Sequence, residues 1–235
     1  MHKQLLFRKV HRWLGLLLGI QILLWFTSGF LMSFMPIDEI RGDHLLQQNK
    51  ARPIDVSAID LTRIEQQLGE PLMAVEIKSW LNQTILLVQT TSGRHRFDRN
   101  NQKIKGLDEA QIKQIITTQL KPDLSIASIR RLDEVPAEAR GRSAPIWQVQ
   151  LNGAEQANIY ISQQTGEIVA KRTDRWRLFD FMWMLHIMDY DERSDFNHPL
   201  LYLTALSALL FTLSGFVLLY FTLIKRKRHK TKAAH

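Results

Sequence analysis

Two uncharged apolar stretches, one near each end of the chain, constrain this sequence more than any other feature. Residues 13–35 and 199–224 contain no Asp, Glu, Lys or Arg. At 1.5 Å per residue they reach about 35 and about 39 Å as helices, enough to cross a hydrocarbon layer about 30 Å thick. A core helix of a soluble protein seldom runs beyond about 20 residues without a charged face, so both are read as transmembrane helices. The first also follows a basic segment, as a secretory signal does. It is longer than the 7–15 residues of a signal core and runs into Ser33, Phe34, Met35 and Pro36 rather than a small-x-small cleavage site, so a retained anchor is expected.

Charge sets the expected orientation. Residues 1–12 carry Lys3, Arg8, Lys9 and Arg12, and residues 225–235 carry Lys225, Arg226, Lys227, Arg228, Lys230 and Lys232, with no acid in either tail. The positive-inside rule puts both termini in the cytoplasm and the intervening segment in the periplasm of a bacterial inner membrane. Removing these ten charges from the 31 Lys and Arg leaves 21 against 23 Asp and Glu. The remainder is thus nearly neutral, and no nucleic-acid partner is expected. The expected organisation is a cytoplasmic N-terminus (1–12), a first span (13–35), a periplasmic domain (36–178), an interfacial amphipathic segment (179–198), a second span (199–224) and a basic cytoplasmic tail (225–235).

The chain has no cysteine. Disulfides, thiolate-ligated haem, iron–sulfur clusters and cysteine nucleophiles are therefore excluded. No GxSxG, HExxH, P-loop or GxGxxG motif occurs, which removes the common hydrolase and nucleotide-binding signatures. The spans hold the polar residues Gln21, Thr27, Ser28, Ser33, Thr204, Ser207, Thr212 and Ser214, none of them ionisable, which argues against an ion or proton relay through the bilayer.

The middle of the chain reads as two copies of one pattern, a short helix followed by strands, at about 54–106 and 107–172. In the first copy, residues 55–68 place Ile59, Leu61, Ile64 and Leu68 near helical spacing, with Gly69 and Pro71 as the stop. Strands are expected at 73–80, 84–90 and 94–98, with residues 81–83 as a turn. In the second, Asp108 caps a helix carrying Ile112, Ile115, Ile116 and Leu120, and Pro122 follows. Strands are expected at 125–132, 146–151, 157–161 and 167–171.

The opening His11, Arg12, Trp13, Leu14 and Gly15, the two helix-plus-sheet repeats, the turn Thr165, Gly166 and Glu167, and Trp183, Met184, Leu185 and His186 before the last span together resemble the PepSY-associated transmembrane family. The resemblance implies an α+β membrane protein: two transmembrane helices plus a periplasmic domain of two PepSY-like helix-plus-antiparallel-sheet repeats. That family includes inner-membrane proteins of iron and siderophore uptake, among them haem-binding ferric reductases. Many of them have four transmembrane helices, so a four-helix core built from this chain would require a homodimer. The Gly15 and Gly19 pair in the first span offers a strip on which another helix can pack.

Within that frame the histidines are the residues of interest, because neutral imidazole is the usual axial donor to haem b in a membrane bundle. His11 sits just before the first span and is either a headgroup contact or a ligand. His198 precedes Pro199 and is either a helix-start residue or a ligand. His186 lies in an aromatic, Met-rich segment, where Phe179, Trp183, His186 and Tyr190 would share a helical face able to press on a porphyrin. His44 and His95 lie in polar surroundings. Asp189, Asp191, Glu192 and Asp195 form an acidic cluster that is either a solvated loop or a landing site for ferric iron. The expectation is a haem b protein that passes electrons from a quinol or cytoplasmic donor to ferric iron, free or chelated, outside the bilayer and so feeds a ferrous iron transporter. The alternative is a non-enzymatic PepSY-type module that binds a periplasmic partner and uses the helices only as anchors.

Overall fold

The computed structural model describes residues 2–47, 54–80, 83–104, 106–153 and 155–232. The expected turn at 81–83 falls partly outside these. In chain order the helices are α1 (His2–Phe34), α2 (Ile37–Ile40), α3 (Leu61–Leu68), α4 (Glu109–Gln119), α5 (Asp174–Ile187) and α6 (Pro199–Lys232). The strands are β1 (Ala74–Trp80), β2 (Gln83–Thr90), β3 (Gly93–Asp98), β4 (Lys103–Ile104), β5 (Ser125–Leu132), β6 (Ile146–Asn152), β7 (Asn158–Ser162) and β8 (Ile168–Arg172). The chain divides into a helical unit, residues 1–35 with 178–235, and a sheet unit, residues 36–177.

Within the helical unit, Arg8–Phe34 of α1 and Pro199–Leu223 of α6 are long and apolar enough to span a membrane. Their outward residues are large and apolar: Leu17, Ile20, Phe26, Leu203, Leu209 and Phe216 are all exposed. In water that surface would be costly; in lipid it is the preferred one. Where α1 and α6 meet, Gly15 lets the Phe211 ring come so close that a Cβ there would sit 3.1 Å from it. Gly19 has no atom within 4 Å of its would-be Cβ. The two glycines are therefore not one strip: α6 of the same chain covers Gly15 and leaves Gly19 open.

The sheet unit contains two antiparallel meanders, β1-β2-β3-β4 and β5-β6-β7-β8, each preceded by one helix. The alternation along β2 sends Leu86 and Val88 to the face where Ile64 of α3 and Phe97 of β3 are fully buried. The second copy repeats this with Ile112, Ile115 and Ile116 of α4 against Val149 and Ile159, which lie opposite each other on β6 and β7. Asp108 caps α4 in a reciprocal box with Gln111.

The first helix is shorter than its apolar spacing suggests. Asp55 accepts from the backbone N–H and hydroxyl of Ser57 in a side-chain turn, and Asp60 is the true cap of α3. Asp and Ser compete with helix by bonding their own backbone, which accounts for the six residues lost. Asn101, buried at φ 62° in the β3–β4 turn, accepts from Asp60 N–H at 2.9 Å and donates to Ala58 O at 2.9 Å. It ties the sheet to the start of α3. The copies are joined by the ion pair of Lys78 on β1 with Glu167 at the turn before β8.

Candidate functional site: two histidines on Ser-Gly steps

The helical unit brings together residues that the sequence scatters. The α1 segment Ser28, Gly29 and Phe30 and the α6 segment Ser214, Gly215 and Phe216 are the same tripeptide. Each receives one histidine. His186, on the last turn of α5, has Nδ1 3.1 Å from Ser28 Oγ, and a Cβ on Gly29 would lie 3.4 Å from its Cε1. His11, on α1, has Nδ1 2.7 Å from Ser214 Oγ, and a Cβ on Gly215 would lie 3.2 Å from its Cε1. At Gly215 the missing side chain is what admits an imidazole edge this close to the helix backbone, and at Gly29 the approach is at van der Waals contact. The His11 ring also stacks on Phe211, centroids 4.3 Å apart and planes 7° apart.

Both rings leave Nε2 without a hydrogen-bond partner among the described residues. Beside His186 an open groove of about 630 Å³ is lined by Trp25, Phe26, Thr27, Gly29 and Phe30. The aromatic wall next to this histidine therefore comes from α1. Trp183 instead donates its indole N–H to Arg193 O at 3.2 Å, and Phe179 is half-buried outside the groove lining. Tyr190 lies beyond the end of α5 and does not share a helical face with His186, because Met188 adopts a left-handed φ of 60° and breaks the helical path.

His198 is used differently. Its Nε2–H donates to Met188 O at 3.1 Å and its Nδ1 accepts the Leu200 N–H at 3.2 Å. With both nitrogens engaged by backbone, it fixes the start of α6. The acidic cluster next to it is organised around Asp189, whose carboxylate accepts from the N–H of Ser194 at 2.8 Å, Asp195 at 3.0 Å and Asp191 at 3.3 Å. The Asp195 amide foremost, with those of Ser194, Arg193 and Asp191, outweighs burial and holds this carboxyl down at about 2. Asp195 accepts from Asn197 N–H at 2.8 Å, while Asp191 and Glu192 are exposed. Among the described residues no group of three or more His, Cys, Asp or Glu side chains is arranged to hold a metal ion.

In the sheet unit, a cavity of about 310 Å³ is lined by His44, Leu45, Lys121, Leu151, Glu155 and Ala157 among others. His44 Nε2 meets Glu155 at 2.8 Å. His95 on β3 bonds Thr90 and Ser92 hydroxyls at 3.2 Å each, and burial, with the Lys103 charge, lowers its pKa. No cue in the sequence marked this cavity, since its lining converges from the segment before α3, the end of α4 and the β6–β7 turn.

These features define a membrane-anchored α+β protein with two spanning helices and a sheet domain of two like repeats. The chain belongs to the family described as the PepSY-associated TM region, whose sequence profile matches residues 8–235. No curated protein matches it. A solved protein of the DUF2874 family from Bacteroides vulgatus is similar at 14% identity over 53% of this chain and 98% of its own, with a TM-score of 0.19.

Proposed function

We propose that this protein carries electrons through b haem across a bacterial inner membrane to ferric iron in the periplasm. The observation that carries the reading is the pair of membrane-depth imidazoles, His11 and His186, each seated on a glycine with Nε2 unengaged. At His186 a neutral imidazole nitrogen beside an apolar, aromatic-walled groove within the usual range of cofactor sites, about 300–1,000 Å³, suits a b haem. Bound there, haem supplies a one-electron couple that needs no polar path through the lipid.

His11 and Ser28 are 17 residues apart on α1, about 25 Å along its axis. His11 and His186 therefore serve two sites, one towards each surface, rather than the two faces of one. The second imidazole at each site would come from a second copy of the chain, since among the described side chains the helical unit offers one free imidazole at each level. His198 is left out of the ligand set because both its nitrogens hold backbone. The basic tails support an orientation with His11 nearer the cytoplasm, where a quinol or soluble donor would deliver electrons, and His186 nearer the periplasm, where each ferric ion or chelate would take up one. The ferrous product then requires a separate transporter.

The test is ferric reduction by the full chain in liposomes. Pre-reduced protein supplied with external ferric citrate should yield one trapped ferrous ion for each ferrous haem that is reoxidised. Reoxidation by oxygen but never by ferric iron would refute the substrate. The His44 cavity favours a second reading, in which the sheet domain binds a partner. A sheet domain that alone stimulated iron reduction would replace the first reading with this one.

A further inference from the structure

We infer that Ser28 and Ser214 are positioning residues that hold His186 and His11 as Nδ1–H imidazoles, so that each Nε2 is kept as an open electron-pair donor. The inference deepens the haem reading above and rests on it for its purpose, though not for its geometry.

Ser28 Oγ lies 2.6 Å from Leu24 O and 3.2 Å from Trp25 O on its own helix. A carbonyl can only accept, so the one hydroxyl proton is given to the helix. What remains on Oγ is lone-pair density, and His186 Nδ1 at 3.1 Å must donate to it. Ser214 repeats the arrangement. Its Oγ donates to Phe211 O at 2.7 Å, leaving His11 Nδ1 at 2.7 Å as the donor. In a neutral ring a proton on Nδ1 leaves the Nε2 lone pair free.

The surroundings enforce this state. Ser28 is 1% and Ser214 8% exposed, so the hydroxyls bond the protein rather than water. In an apolar environment an unpaired N–H is costly, which makes a proton on Nδ1 strongly preferred while the acceptor is present. Gly29 and Gly215 bring the ring edge against the helix, where the hydroxyl can reach it. His198 is the built-in contrast. Its Nε2 donates to a carbonyl and its Nδ1 accepts from an amide, so its proton is on the other nitrogen.

The experiment is nitrogen NMR of the full-length, haem-free protein labelled with 15N-histidine in lipid nanodiscs. The His11→Gln, His186→Gln and His198→Gln variants assign the signals. The expected result is protonated Nδ1 at His11 and His186 and protonated Nε2 at His198, read from the cross-peaks between ring protons and the two ring nitrogens. Ser28→Ala should shift only His186 towards the Nε2–H form and Ser214→Ala only His11, with Ser28→Thr and Ser214→Thr restoring the original pattern. Protonated Nε2 at His11 and His186 in the unaltered chain, or spectra unchanged by the alanine variants, would overturn the inference. A haemin titration followed by absorbance completes it. Orienting partners of metal-bound histidines are typically worth ~10–100-fold in affinity, and a loss in that range is expected for each alanine variant. Unaltered protein with Nδ1–H rings but no haemin uptake would uphold the tautomers and overturn the haem reading.

Discussion

A histidine's contribution here is decided by which nitrogen its neighbours leave unused, and His11, His186 and His198 differ in that respect. His11→Ala and His186→Ala are each expected to remove about half of the bound haem, counted per chain by extraction, because each serves one of two sites. His198→Ala should leave haem content intact and instead loosen the start of α6, detected as faster hydrogen exchange at Leu200 and Leu201. Equal haem loss in all three variants would contradict the division of roles. Glu138 gives a pH-dependent counterpart in the sheet unit. Burial pushes its carboxyl up, but hydrogen bonds from Arg177, Asn158 and Tyr160 outweigh that and leave it lowered. The same carboxylate, after burial, helps raise the Tyr160 hydroxyl to about 12. A carboxylate lowered by folding stabilises above its unfolded pKa, near 4.5, and that contribution fades as pH falls through the folded value. The isolated sheet domain, residues 36–177, should therefore lose stability below about pH 4.5, and Glu138→Gln should flatten that part of the pH profile while lowering stability at neutral pH. A Tm that falls equally on acidification in both forms would exclude Glu138 as the cause.

At the scale of elements, the packing of each helix on its sheet dominates the domain. Ile64 of α3 and Ile116 of α4 are both fully buried, and Ile→Ala at either should cost about 2–5 kcal/mol in chemical unfolding of the sheet domain. An effect below about 1 kcal/mol at both sites would mean that the helices are not seated as described. These helices and strands were legible in the sequence wherever one face is buried, because burial imposes a period: β5 runs over the residues its pattern indicated, and Asp108 caps α4 as expected. Reading failed where side chains bond local backbone instead of packing. Asp55 and Ser57 cut α3 short, and Met188 ended α5 before Tyr190 could join its face. The candidate site was half legible. The histidines were visible as residue types, but their sorting depends on Ser28, Ser214, Met188 and Leu200, partners 2 to 203 residues away that carry no periodic signal. The glycine pair likewise needed the structure, since only contact with Phe211 separates Gly15 from Gly19.

For the whole molecule, the account requires two chains. One helical unit has two spanning helices and, among the described side chains, one free imidazole at each level, which cannot both enclose a porphyrin and fill two axial positions. Gly19 is an open small residue suited to close helix approach between copies, so Gly19→Ile should lower the dimer fraction measured by mass in nanodiscs. Gly15→Ile, by contrast, should disturb α1 against α6 within one chain. A dimer indifferent to Gly19→Ile would move the interface elsewhere. The most direct measurement is the visible spectrum of detergent-purified full-length protein, oxidised and then reduced with dithionite, alongside its mass and extracted haem. The account predicts a b-type spectrum that reduces reversibly, two haems per dimer at minimum, and loss of that spectrum when His11 and His186 are both replaced. Protein that is folded, monomeric and colourless after expression with ample haem would contradict it.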